Sequence, residues 1–290
     1  MERFRNRINY LSRDITHYLG TLLIGQYGSV VESGPPVGRE PSAPGGGRPS
    51  GVTIELHDVV YRRGGAEPGS SPVAAGVSLM IPPGQSVALL SEPRSDAASL
   101  LDVIAGLTRP RSGQVRVDGV GVDHLSGAEL DRYHARRGLV SARFPLLPSL
   151  SVTDNVLAAL LAGRVDAATR ERAARLLELT GAARLTGRVD QLTVEQQWRI
   201  MVARALVSSP RLVLAEDPAS SLDSRAAARV LDVLMDAHAT FGFTLILTAD
   251  RLTTAVRCQR QVTLADGTVT EDEIASGDDA WTRGRIDRIG

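Results

Sequence analysis

Residues 86–119 read SVALLSEPRSDAASLLDVIAGLTRPRSGQVRVDG. The order is a strand, a tight turn, a helix and a hairpin-like return, the layout in which many proteins cradle a nucleotide phosphate. That chemistry needs glycines, whose missing Cβ lets backbone N–H groups approach the anion, and a cation near the helix start. Between Leu90 and Leu100 there is neither glycine nor lysine; the turn carries Glu92 and Asp96, with Arg94 between them. A helix start with orphaned N–H groups remains, and Ser95 or Asp96 can cap it, stabilising the helix by about 1 kcal/mol. Further on, the apolar run RLVLAED ends in Glu216 and Asp217, which read either as working acids or as solvated carboxylates at a strand end. Cys258, His57, His134 and His238 share no spacing that suggests a metal or nucleophile site, so no metal is expected.

The elements that position these residues follow from pattern. Strand-like VTIELHDVVY and GQSVALL, helical AASLLDVIAGL and strand-like GQVRVDG come first. VTDNVLAALLAG, AATRERAARLLELTGA and EQQWRIMVARALVSS then make a helical section. After it come a strand (RLVLAED), a helix (SRAAARVLDVLMDAHATFG), an apolar strand (FTLILTAD) and a final hairpin (RQVTLADGTVTE). Continuous apolar strands alternating with helices predict a parallel sheet covered on both faces.

Ahead of this, Phe4, Ile8, Leu11, Ile15, Tyr18 and Leu22 recur in steps of four and three, one stripe on a helix over 1–31 that must pack on a partner. Residues 32–50, rich in Gly, Pro and Ser, read as a flexible linker. The main domain is expected over 51–272, with a helical subdomain at about 150–207 and a tail at 273–290. With 33 Lys+Arg against 33 Asp+Glu the formal net charge is zero, which gives no reason to expect nucleic acid as a partner. Every cation is arginine; the chain has no lysine. No apolar run approaches the ~20 residues that span a bilayer, and no signal peptide is visible. The expected location is cytoplasmic.

From about Val52 to Glu271 the order of pieces resembles the ATP-binding subunits of ABC transporters, in particular the type serving lipoprotein-release, macrolide-export and cell-division permeases. FPLLPSLSVTDNV resembles that family's segment after the Q-loop, EQQWRIMVARALVSSPRLVLAEDPASSLD resembles its signature-to-D-loop run, and DGTV completes the order. The resemblance implies an α/β P-loop NTPase fold with a parallel core sheet, an antiparallel β subdomain and a helical subdomain.

It also implies roles position by position. The Walker A motif falls on Ser91, Glu92, Pro93, Arg94, Ser95, Asp96, Ala97, Ala98 and Ser99, with Ala97 at the lysine and Ala98 at the metal-binding hydroxyl. Ala142 takes the Q-loop glutamine, and Glu216 and Asp217 take the Walker B acids in exchanged order. Ala249 takes the switch histidine, and Leu192, Thr193, Val194, Glu195 and Gln196 take the signature. Glu195 there is expected to repel a γ-phosphate. Tyr61 stands at the adenine-stacking aromatic, or is simply a half-buried strand residue. The D-loop Ser221, Leu222 and Asp223 looks intact. Charge-assisted hydrogen bonds are worth about 1.5–3 kcal/mol each, so losing several would weaken ATP binding by orders of magnitude.

The expectation is therefore a cassette that is not an enzyme, a pseudo-ATPase with no cofactor where the family uses ATP and Mg²⁺. It would dock on an ABC-type membrane permease as a structural or regulatory part, peripheral on the inner face of the membrane. Phe144, Leu146, Leu147, Leu150 and Val152 are its expected permease contacts. Further partners would be an ABC ATPase subunit or a second copy, and whatever the N-terminal helix packs on. Two alternatives stay open: a weakly active subunit exporting lipid, lipoprotein or drug, and a soluble adaptor assembled through the N-terminal helix.

Overall fold

The structure, a computed structural model, describes residues 51–62, 76–91, 96–160, 165–218, 220–265 and 267–275. The expected N-terminal helix, the linker, the turn residues Glu92 to Ser95 and the tail from 276 on lie outside them.

Among the described residues the strands form two sheets. β1 (Ile54–Val60), β2 (Val77–Ile81), β4 (Ser112–Val117) and β5 (Val120–Gly121) make an antiparallel sheet in the order β2-β1-β4-β5. The central sheet runs β10-β9-β3-β8-β7-β6. Its members are β3 (Ser86–Ser91), β6 (Arg137–Val140), β7 (Leu212–Ala215), β8 (Thr244–Ala249), β9 (Arg260–Ala265) and β10 (Thr268–Ile274). β9, β3, β8, β7 and β6 are parallel to their neighbours, and β10 turns back antiparallel to β9.

Side chains of a strand alternate between faces, and here both faces are covered. Val87, Leu89, Leu212, Leu214 and Ile246 pack toward the antiparallel sheet and helix α1 (Ala97–Ile104). Ala88, Val213, Ala215, Leu245 and Leu247 pack toward the helical section. A strand buried on both sides has no polar alternation, which is why TLILTA and LVLA read as continuous apolar runs. The helical section holds α3 (Val152–Leu157), α4 (Ala167–Leu179) and α5 (Val194–Leu206). α6 (Ser224–Phe241) stops at Gly242, whose left-handed φ of 66° lets its N–H reach the His238 carbonyl; glycine adopts that backbone without a Cβ clash.

Among the elements not foreseen are two strands and a helix. β2 was passed over although VSLMI alternates buried and exposed. α2 (Ala128–Ala135) buries no residue and so offers no apolar stripe to read. β6 is four residues long and contains Gly138, too short for periodicity to show. The helix expected through 152–163 is α-helical over Val152–Leu157 and then tightens into a 3₁₀ turn, Ala158–Leu160.

Candidate functional site

The parallel register brings the C-terminal ends of β3, β8, β7 and β6 to one rim: Leu90 pairs with Ala249, Ala215 with Leu247, and Val140 with Ala215. In open α/β sheets that rim is where ligands bind. Ser91, Glu216, Asp217, Ala249 and Ser141 stand on it or one residue past it.

At the end of β3 the start of α1 is closed by the chain itself. Asp96 is the N-cap: one carboxylate oxygen accepts from the Ser99 N–H at 3.0 Å, the other from the Ser99 hydroxyl at 2.6 Å. The Ser91 hydroxyl accepts from the Ala97 N–H at 2.8 Å. Of the two capping candidates, Asp96 takes the position and Ser95 lies outside the described residues. Ala97 is buried in the core beside α1. Tyr61, expected as an adenine platform, is 1 % exposed and packs among core residues, so neither ring face is open to a base. Its hydroxyl is buried beside the Asp96 backbone. Burial, and then the nearby Asp96 charge, push its pKa up to about 12.

At the end of β7, Glu216 is engaged through one carboxylate oxygen. Its Oε2 accepts from the Ser141 hydroxyl and from Arg143 Nε, both at 2.6 Å. The same guanidinium binds both oxygens of Asp102 on α1 at 2.9 and 2.6 Å. Asp217 has a positive φ of 38°, a backbone strained for a non-glycine residue. Thr248 holds it there, accepting from its N–H at 2.9 Å and donating to its carboxylate at 3.0 Å. Burial raises the Asp217 pKa, the Thr248 hydrogen bond opposes this, and the charges of Asp250, Glu216 and Asp96 add to the rise.

The signature region is likewise satisfied internally. Thr193 and Gln196 form a reciprocal capping box at the start of α5. Glu195 does not present a free charge: Arg199 binds it at 2.7 Å and Arg229 of α6 at 2.5 Å, and these two arginines pull its pKa down to about 2. The expected repulsion from Glu195 is corrected accordingly. In the D-loop, Asp223 caps α6 by accepting from the Arg225 and Ala226 N–H groups, and Leu222 packs on Ala227 and Leu231; Ser221 stays exposed.

The segment after Ser141 is fastened from several sides. Arg204 of α5 donates to the carbonyls of Phe144 and Pro145. Asn155 of α3 bridges to Leu147, Leu150 and Ser151 backbone groups. This corrects the docking set: Leu146, Leu147 and Val152 are 6, 8 and 5 % exposed and belong to the interior. Phe144 and Leu150 keep partial exposure. Beside Phe144 lies a groove of about 110 Å³ lined by Ala142, Pro145, Val194, Gln197, Met201 and Ser221, with Leu146 and Trp198 at its base.

Sequence reasoning missed Arg143, Ser141, Asp102 and Arg204. The only signal was that Arg143 directly follows Ala142; that it faces Glu216 depends on β6 lying next to β7.

The family's ATP and Mg²⁺ do not fit these residues as they stand. The helix start that would receive phosphate holds the Asp96 carboxylate, and the Walker B acid Glu216 is held by a guanidinium. Among the described residues no group of His, Cys, Asp and Glu is arranged to hold a metal ion, and no helix is long and apolar enough to cross a membrane.

Comparison with known proteins gives the family and one correction. The family profile described as ABC transporter matches residues 74–220. The chain is 36 % identical over 230 residues to the pyoverdine export ATP-binding/permease protein PvdT of Pseudomonas entomophila, covering 78 % of this chain and 35 % of that protein. It is 35 % identical over 232 residues to the macrolide export ATP-binding/permease protein MacB of Syntrophobacter fumaroxidans, covering 78 % and 32 %. The chain thus spans about a third of the length of these relatives. Its fold matches the bacterial ABC transporter cassette MJ0796 with a TM-score of 0.68 and 26 % identity, over 78 % of this chain and all of that one. MJ0796 is known as a dimer and as a dimeric post-hydrolysis state bound to ADP and Pi. The expectation of a non-enzyme is overturned by these findings, because the proteins matched are ATP-binding export proteins and a cassette seen after hydrolysis.

Proposed function

Because the chain belongs to the ABC transporter family, we propose that it is the ATP-binding subunit of an export-type transporter, weakened in its own nucleotide site and weighted toward docking on a membrane permease. In this reading it sits peripherally on the inner face of the membrane and works as a dimer, with a second copy or a related cassette. The main domain over 51–272 does this work, and the segment before it serves as a further tether.

The carrying observation is the contrast at the rim. Asp96 occupies the start of α1, so a triphosphate must displace a carboxylate that already makes two hydrogen bonds. Meanwhile the groove beside Phe144 is open, and the segment that forms part of its wall is fastened by Arg204 and Asn155. A groove of apolar and small residues receives a short helix without any help from nucleotide. The relatives' names join ATP binding and permease in one protein, which supports a permease partner for this chain.

Two measurements test it on the full chain. Titration with Mg-ATP is expected to half-saturate at about 1 mM or above; micromolar binding overturns the weakened site. Val194→Arg places a charge on the exposed groove wall away from the core. It is expected to abolish co-purification with a multi-spanning membrane protein while leaving thermal unfolding unchanged, and retained co-purification overturns the docking reading.

A further inference from the structure

We infer that Arg143 is a resident cation standing in for a divalent metal ion, so that residues 141–147 keep their place without metal or nucleotide. The inference deepens the proposed reading and rests on it for its consequence at the docking groove, not for its chemistry.

In P-loop ATPases the Walker B acid holds Mg²⁺, and the loop beside it is ordered through that ion. Here the acid at that position, Glu216, gives its Oε2 to Arg143 and Ser141 at 2.6 Å each. The other edge of the guanidinium clasps Asp102 through two N–H donors. The planar fork suits two carboxylates at once, which a lysine ammonium does not. Magnesium demands near-octahedral oxygen ligands at about 2.0–2.1 Å and gives up water reluctantly. To use Oε2 of Glu216 or either oxygen of Asp102 it would have to displace donors already in place.

The guanidinium also supplies charge where a metal ion would: Arg143 pairs with both Asp102 and Glu216, and Arg137 interacts electrostatically with Asp102.

The consequence lies one residue further on. Arg143 precedes Phe144 and Pro145, whose carbonyls Arg204 holds from α5, and its guanidinium lies 5.9 Å from the centre of the Phe144 ring. The groove wall is thereby tied to α1 and β7 by a side chain in place of an ion that comes and goes with nucleotide.

Amide hydrogen exchange over residues 141–147 in the full chain, with and without millimolar MgCl₂, tests this. Wild type is expected to exchange at the same rate in both conditions. Arg143→Ala is expected to exchange about tenfold faster, and magnesium is expected to return it toward the wild-type rate, because the two carboxylates are then uncovered. Arg143→Lys is expected to retain part of the protection. A magnesium-dependent change in wild type, or no rescue of Arg143→Ala, overturns the inference; an ion pair with a purely structural role predicts the loss without the rescue. Should Arg143→Ala not fold, Glu216→Gln serves: faster exchange that magnesium leaves unchanged is expected, and unchanged protection overturns the inference. None of these readouts involves a permease, so failure of docking leaves them standing.

Discussion

The strands of the central sheet and the rim that follows them obey different physics. All six residues of β8 and all four of β7 are buried, and each large apolar side chain taken from water contributes about 1.5–3 kcal/mol. The next residues, Glu216 and Asp217, are polar, partly exposed and tied to Ser141, Arg143 and Thr248. The sheet depends on volume and apolarity, which many sequences supply. The rim depends on a few charges, and these are paired within the chain.

The sharpest way to break this contrast is to attack the interior. Trp198 is 2 % exposed at the base of the groove, and Trp198→Ala is expected to cost about 3–5 kcal/mol, read from urea unfolding. A loss below about 1 kcal/mol would mean that the groove floor is not part of the core.

A smaller effect separates cap from charge at the rim. Asp96→Ala is expected to lower stability by about 1 kcal/mol, whereas Asp96→Asn, an equally good cap, changes it by a few tenths. If the negative charge keeps phosphate out, Asp96→Asn also binds ATP about tenfold more tightly, a gain of about 1.4 kcal/mol. Unchanged affinity would assign the exclusion to the shape of the turn.

The smallest effect concerns Glu195. Its carboxyl has a folded pKa of about 2 against an ordinary 4.5, so its pairing stabilises the fold fully above about pH 4.5 and is lost as the pH falls through about 2. Glu195→Gln is expected to flatten that acid limb of the stability–pH curve. If the limb is the same in both proteins, the arginines are not holding this carboxylate.

Particular residues show how far the sequence could be read. TLILTA and LVLA announced buried parallel strands because no charged residue interrupts them, and the cap at Asp96 was legible because capping is local. Leu146, Leu147 and Val152 were misjudged as docking residues because apolarity is the same signal whether a side chain faces a partner or its own core. Of the two readings of Tyr61, an adenine platform or a half-buried strand residue, neither anticipated its full burial, for the same reason. Glu195 looked like an unpaired charge because Arg229, 34 positions away, becomes its neighbour only when α6 packs on α5.

Composition and order sufficed to specify the architecture and the family, since periodicity, capping and residue identity are properties of neighbours along the chain. The pairing of Arg143 with Glu216 and Asp102, and the depth at which each apolar residue comes to rest, arose only on folding. Charges and surfaces find their partners by distance in space, and Arg143 and Glu216 stand 73 positions apart in the sequence.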